Sequence, residues 1–159
     1  MLKRLTEWVL LMATAAAAVA GIALATPGAG ITPTTHVDRN TMADSVHLNN
    51  DRITFQTKDP VDVRVQTLRM APGATTGRHS HPGFVIVSIT QGTQTLYAAD
   101  CSSRLVSAGE SFIETGDEPM LARNETASEV VLVVTFVAPQ GAAFRIDQAN
   151  AGCPVSCRI

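Results

Sequence analysis

The run Gly73-Ala74-Thr75-Thr76-Gly77-Arg78-His79-Ser80-His81-Pro82-Gly83, followed by Gly92, decides how this chain is read. His79 and His81 stand one residue apart. In an extended run both imidazoles leave the same side of the strand, because side chains there repeat with period two. Two same-facing histidines inside a β-barrel are a ready chelate for a first-row transition metal. The spacing alone fits a polar strand end with two unrelated histidines equally well, so the surrounding pattern has to discriminate.

That pattern is one of short strands. Ile53-Thr54-Phe55 is a short candidate, and Val61-Asp62-Val63-Arg64-Val65 alternates as a half-buried strand does. The alternation slips at Gln66-Thr67 before Leu68 and Met70, which predicts a bulge. Phe84 to Thr90 continues as strand after the Pro82-Gly83 turn, and Gln94 to Ala98 is expected to pair back on it through Gln91-Gly92-Thr93. Arg104 to Val106, Ser111 to Glu114 and Met120 to Arg123 follow, each bounded by turn-forming residues. Val130 to Val137 is apolar almost throughout, as in a strand covered on both faces, and Ala143 to Asp147 closes the set. No long helical period is present.

The segment from Gly73 to Asn124 resembles the two motifs of the cupin superfamily. The first has the form Gly-x5-His-x-His-x3,4-Glu-x6-Gly; Gly73, His79, His81 and Gly92 match it, with Val85 at the Glu position. The second has the form Gly-x5-Pro-x-Gly-x2-His-x3-Asn; Gly109 and Asn124 match, while Thr115, Asp117 and Met120 replace its Pro, second Gly and His. The resemblance covers roughly residues 51 to 148. It implies an all-β fold, a single cupin-type double-stranded β-helix (jelly-roll) barrel. Most cupins hold one divalent metal through three histidines and a glutamate. Carried over here, His79 and His81 are retained ligands, and the other two positions hold Val85 and Met120. The implied cofactor is one divalent transition metal (Fe, Mn, Zn or Cu), weakly held or absent. Cupins also commonly dimerise, which makes a homodimer a candidate assembly.

The ends of the chain speak to compartment. Lys3 and Arg4 precede a stretch rich in alanine from Trp8 to Ala25, apolar apart from Thr14, and Ala23-Leu24-Ala25 is a small-x-small site. Residues 1–25 therefore read as a signal peptide cleaved before Thr26, with an uncleaved membrane anchor as the rival. The expected localisation is secreted or cell envelope. Residues 26–50, rich in Gly, Pro, Thr and Asn, read as an N-terminal arm or linker: a short strand at the barrel edge, or a mobile segment. The barrel is expected over 51–148 and a C-terminal tail over 149–159. His36 and His47 in the arm read as solvated loop residues.

Cys101, Cys153 and Cys157 all follow the leader, so an oxidising compartment allows one bridge. A Cys101–Cys153 pair would pin the tail to the barrel and contribute about 4 kcal/mol in the chain-entropy model. Cys153–Cys157 is the alternative and closes a very short loop. The whole chain carries a net charge of −2; setting aside Lys3, Arg4 and Glu7 leaves about −3. With no basic patch, nucleic-acid binding is not expected. The Asn124-Glu125-Thr126 sequon is expected to carry no glycan in most bacteria.

Counting outward from the histidines, Val85, Val87 and Ile89 share their parity and are expected to face the barrel interior. The expected pocket, marked by Val85, Val87 and Met120, is apolar with two imidazoles near its mouth and suits a small, largely apolar molecule. A third metal ligand has two main candidates. Met120 offers a thioether, which favours copper(I). Glu114, or Glu118 beside it, offers a carboxylate that completes a two-His-one-carboxylate set. No catalytic residue stands out: Tyr97, Glu110 and Glu114 are the acid–base candidates, and no nucleophile motif, phosphate loop or Cys-x-x-Cys is present. The leading expectation is an exported binding module for a small molecule, or weakly a metal. The alternatives are a metal-dependent, dioxygenase-like enzyme with a rearranged ligand set, and an envelope interaction protein with a vestigial pocket.

Overall fold

A computed structural model describes residues 27–149. The expected signal peptide, and both Cys153 and Cys157, lie outside the described residues, and with them both candidate cysteine pairings. Among the described residues the chain is all-β, in chain order β1 (Ala29–Met42), β2 (His47–Asn49), β3 (Thr54–Gln56), β4 (Val61–Thr75), β5 (His79–Ser80), β6 (Phe84–Gln91), β7 (Thr93–Tyr97), β8 (Ser103–Ser107), β9 (Ser111–Thr115), β10 (Leu121–Arg123), β11 (Val130–Pro139) and β12 (Ile146–Asp147). Seven of them form a path β8-β7-β10-β4-β11-β6-β9, with β1 added on β4. The sheet curls into a nearly closed barrel of jelly-roll type. Two small ribbons, β12-β5 and β2-β3, complete it.

Its spine is β11, where Val130 to Val137 supplies β-branched and aromatic residues suited to a pleated surface. It pairs with β4 along one edge without a break from Val130–Met70 to Pro139–Val61, and with β6 along the other. The residues of β11 that share parity with Val130 turn inward and meet Val85, Val87 and Ile89, which are all buried as expected.

Three expectations are corrected. The predicted hairpin between β6 and β7 does not form: β6 pairs with β11 and β9, while β7 pairs with β8 and β10. Gly92 (φ 78°) turns a corner there, and a Cβ on it would stand 2.8 Å from the Glu129 carbonyl oxygen. The chain presses against β11 at this point and passes to the opposite part of the barrel. The arm at 26–50, expected to place a short strand at the barrel edge or to stay mobile, does supply an edge strand, but one of 14 residues, so the barrel begins at Ala29 rather than at residue 51. Lastly, the irregularity predicted at Gln66-Thr67 lies in the partner strand. Thr35 faces Gln66 and Val37 faces Val65, leaving His36 as the extra residue. His36 is thus an exposed strand residue, bonded to Thr67 Oγ1 at 2.8 Å, rather than a loop residue.

β1 is fastened by one buried carboxylate. Asp62 is 1% exposed and accepts hydrogen bonds from Thr41 Oγ1 (2.7 Å), Gly141 N (2.8 Å) and Arg39. The bonds from Thr41 and Gly141, and the charge and bond of Arg39, hold its carboxyl below the ordinary range against the opposing effect of burial.

Asn124 closes the other end of the barrel. It is fully buried, and its Nδ2 donates to the carbonyls of Met70 (2.9 Å), Ala71 (3.1 Å) and Ser128 (2.7 Å). Its Oδ1 accepts from Thr126 N and Oγ1. Asn124→Ala leaves those carbonyls without their donor and is expected to cost about 3 kcal/mol, read as a lower denaturation midpoint with unchanged m-value.

Candidate metal centre

His79 lies in β5 and His81 just after it, at the point where three chain segments meet. The backbone of β5 pairs with β12 on one side, and His79 bridges Met120 on the other through bonds of 2.9 and 2.8 Å. His81 N donates to Gly116 O at 3.0 Å. The following turn lies against β11, where a Cβ on Gly83 would stand 2.0 Å from the Val137 carbonyl oxygen. Only glycine permits that approach. The short extended run keeps both imidazoles on one side, as the spacing predicts, with ring centroids 4.9 Å apart and planes perpendicular.

The third group comes from β9. Glu114 is paired directly opposite Val85, the residue at the cupin glutamate position. Directly opposed residues of antiparallel strands project to the same face, so a carboxylate enters the barrel one strand away from where the motif places it. Glu114 Oε2 lies 2.9 Å from His81 Nε2 and 3.7 Å from His79 Nε2. The side chains are nearly buried, at 4% exposure for each histidine and 10% for the glutamate.

Their protonation follows from their partners. His79 Nδ1 lies 2.9 Å from Gly77 O, and His81 Nδ1 lies 2.6 Å from Phe144 O. A carbonyl only accepts, so both Nδ1 atoms carry hydrogen. In the neutral rings both Nε2 lone pairs then point toward Glu114, the arrangement that outer hydrogen bonds impose on metal-binding histidines. The 2.9 Å contact sets the Glu114 carboxylate directly against His81 Nε2. Burial alone pushes the Glu114 carboxyl up, but hydrogen bonds and charge from His79 and His81 outweigh it and bring it down to about 2.

The donor set fits a divalent cation. Ligand atoms about 2.1 Å from a shared ion sit about 3.0 to 3.4 Å apart at octahedral to tetrahedral angles, close to the 2.9 and 3.7 Å found here. All three donor atoms fall within 4.8 Å of one another. Two imidazoles and one carboxylate with open positions suit iron(II), and imidazole also suits zinc, copper and nickel. Of the two candidate third ligands, Glu114 is the one brought into the donor cluster. Met120 stands across from His79, packs against the core, and lines a second cleft of about 310 Å³ that also touches Glu114.

Beside the histidines a cavity of about 360 Å³ opens into the barrel. Val87 lines it as expected, with Leu68, Leu132 and Val134. Val85 does not serve as a pocket residue; it is packed in the core at 1% exposure. Met120 likewise belongs to the other cleft. The cavity is also less apolar than the alternation suggests: Arg64, Gln66, Gln94 and Arg145 line it. In β4 the cavity side is that of Arg64, Gln66 and Leu68, whereas the valines face outward. Arg64 reaches inward over the Phe144 ring (4.5 Å) and is tied to Asp38 Oδ1 at 2.7 Å.

The remaining acid–base candidates are elsewhere. Glu110 is exposed and accepts from Ser107 N, and Tyr97 donates to Glu125 at 2.6 Å. Glu118 lines the second cleft. Sequence reading passed over Gln94, Arg64 and Phe144. Gln94 shares strand parity with Leu96, so a polar residue on an apolar face was the available signal. Nothing local marks the Phe144 carbonyl as a histidine acceptor.

Glu114 sets a pH signature in chelator-treated protein. A carboxyl lowered from its ordinary 4.5 to about 2 contributes stability that is present above the unfolded value and lost as pH falls through the folded one. Wild-type unfolding free energy is expected to drop by at most about 3 kcal/mol more between pH 5 and 2 than that of Glu114→Gln. Parallel profiles for the two proteins would contradict this geometry.

Comparison with known proteins agrees with the fold. No profile of a known protein family matches the chain. The beta-alanine degradation protein BauB of Pseudomonas aeruginosa is 40% identical over 82 residues, spanning 50% of this chain and 85% of BauB. Among solved structures, the polyketide cyclase RemF of Streptomyces resistomycificus superposes with a TM-score of 0.53 at 12% identity, over 80% of this chain and 79% of that one. A cupin domain from Bordetella pertussis Tohama I gives 0.49 at 20% identity, over 72% of this chain and 97% of that one. An oxalate oxidase bound to the substrate analogue glycolate gives 0.46 at 24% identity over 54% of this chain; the match spans only 45% of the oxidase. With a barrel of jelly-roll topology, the paired histidines of the first motif and the extended match to BauB, the chain belongs to the cupin superfamily and to the same family as BauB.

Proposed function

We propose that this protein binds one divalent first-row metal through His79 Nε2, His81 Nε2 and Glu114, and holds a small anionic molecule in the adjoining cavity, outside the cytoplasm. The observation that carries the metal reading is the pair of Nδ1–H bonds to Gly77 O and Phe144 O. They leave two Nε2 lone pairs converging on one buried carboxylate. The cupin Glu position is lost at Val85, but the carboxylate opposite it on β9 takes over the role, so the site is rearranged rather than crippled. A bound metal would supply a Lewis acid or redox centre.

The chain's own residues do the rest. Leu68, Val87, Leu132 and Val134 give the cavity an apolar wall, and Arg64 and Arg145, paired with Asp38 and Asp147, offer guanidinium donors to a carboxylate-bearing ligand. A cavity of 360 Å³ is at the small end of ligand pockets. Export is supported by Lys3 and Arg4 ahead of the apolar stretch, and by Ala23-Leu24-Ala25. In that compartment a Cys101–Cys153 bridge would secure the tail. Turnover by a metal-dependent enzyme is the second reading, favoured by the two-His-one-carboxylate set, which leaves positions open for substrate.

Elemental analysis of protein purified without chelators tests the metal. About one equivalent is expected in wild type. The His79→Ala/His81→Ala double variant should retain none, and Glu114→Gln should bind more than about 100-fold more weakly. Unchanged metal content in the double variant overturns the proposal. Affinity should also fall on acidification, because protons compete for the same Nε2 atoms.

A further inference from the structure

Gln94 is the one fully polar side chain among the largest completely enclosed residues that line the cavity, at 1% exposure. Among the described residues, only Gln94 Oε1 and Arg123 Nε are buried side-chain polar atoms without a hydrogen-bond partner. The carbonyl end of the Gln94 amide is thus buried with no hydrogen-bond partner. Buried amides are ordinarily satisfied, and an unsatisfied one costs stability. Such a group is tolerated where a ligand completes it.

Its place in the barrel defines what that ligand looks like. Met120 bridges His79, and its neighbour Leu121 pairs with Tyr97. Gln94 lies three residues before Tyr97 in β7, four strand positions from the level of Met120 and His79, about 13 Å along the strand. Val87, Leu132 and Val134 form the wall between the two ends. The cavity therefore offers the candidate metal cluster with the guanidinium groups of Arg64 and Arg145, each paired to an aspartate, at one end, an apolar middle and a hydrogen-bonding far end.

We infer that Gln94 is the specificity-determining residue of this cavity, and that the ligand is a short aliphatic acid with a hydroxyl at the end remote from its carboxylate. A hydroxyl both donates and accepts, so it completes either orientation of the amide. The inference rests on the ligand-binding reading above and narrows its substrate class.

Hexanoate and 6-hydroxyhexanoate serve as probes, titrated calorimetrically into wild type and Gln94→Met, each zinc-loaded and chelated. Wild type is expected to prefer the hydroxy acid by about tenfold, a typical gain for one buried hydrogen bond. Gln94→Met should abolish the preference. In addition, the ligand-free Gln94→Met protein should unfold several degrees higher than wild type, because an apolar side chain of similar shape replaces an unsatisfied amide. Gln94→Leu repeats that reading with a second apolar group.

Equal affinities in wild type overturn the inference while leaving ligand binding intact, as does a preference that survives in Gln94→Met. A lower melting temperature in both variants also overturns it, since that marks the amide as a satisfied structural group. If neither acid binds wild type in either metal state, the ligand-binding reading falls and takes this inference with it.

Discussion

A carboxylate buried beside two imidazoles is the constraint around which this barrel is arranged. Glu114 has little contact with water, so its charge has to be met by His79 and His81 or by a shared cation. Both histidines are in turn fixed by carbonyls that accept from Nδ1, leaving only Nε2 to face the carboxylate. The three groups thus converge in one buried cluster, with the carboxylate facing both Nε2 atoms.

The elements far from the site serve that geometry. Phe144 accepts from His81 with its backbone while its ring carries Arg39 at 4.3 Å and Arg64 at 4.5 Å on its face. Arg39 also donates to Asp62 and to Ala142 O, so the edge strand β1, the central strand β4 and the turn before Phe144 are joined in one network. Asp62 anchors the network by accepting from three partners in a buried setting. Gly28 and, from the start of β1, Ala29, Gly30, Ile31 and Pro33 then cover one side of the cavity. The segment that reads as a linker in composition is a wall of the cavity.

The placing of Glu114 opposite Val85 also explains why motif comparison alone underrates the candidate site. A motif records a position along the chain, whereas a ligand set needs only a position in space. Val85 and Glu114 occupy the two sides of one cross-strand pair, so moving the acid from β6 to β9 shifts it by about one strand spacing, under 5 Å. The same pairing leaves Val85 free to complete the core.

By itself the sequence determined the all-β class, most strand positions, the inward parity of Val85, Val87 and Ile89, and the shared side of His79 and His81. Each of these follows from the period-two geometry of a strand, which is a local property. Glu114 was legible only as one candidate among several. The tertiary structure decided which strands neighbour one another, and so converted a predicted β6–β7 hairpin into a corner at Gly92 and a presumed linker into β1. It also decided that β4 turns Arg64 and Gln66, rather than its valines, toward the cavity. Hydrophobic alternation finds the buried face of a strand that packs on apolar core, and fails where the enclosed face lines a polar chamber. Pairing partners, and the donors they bring together, are set by contacts between residues far apart in the chain, 63 positions for His81 and Phe144, and no local pattern encodes them.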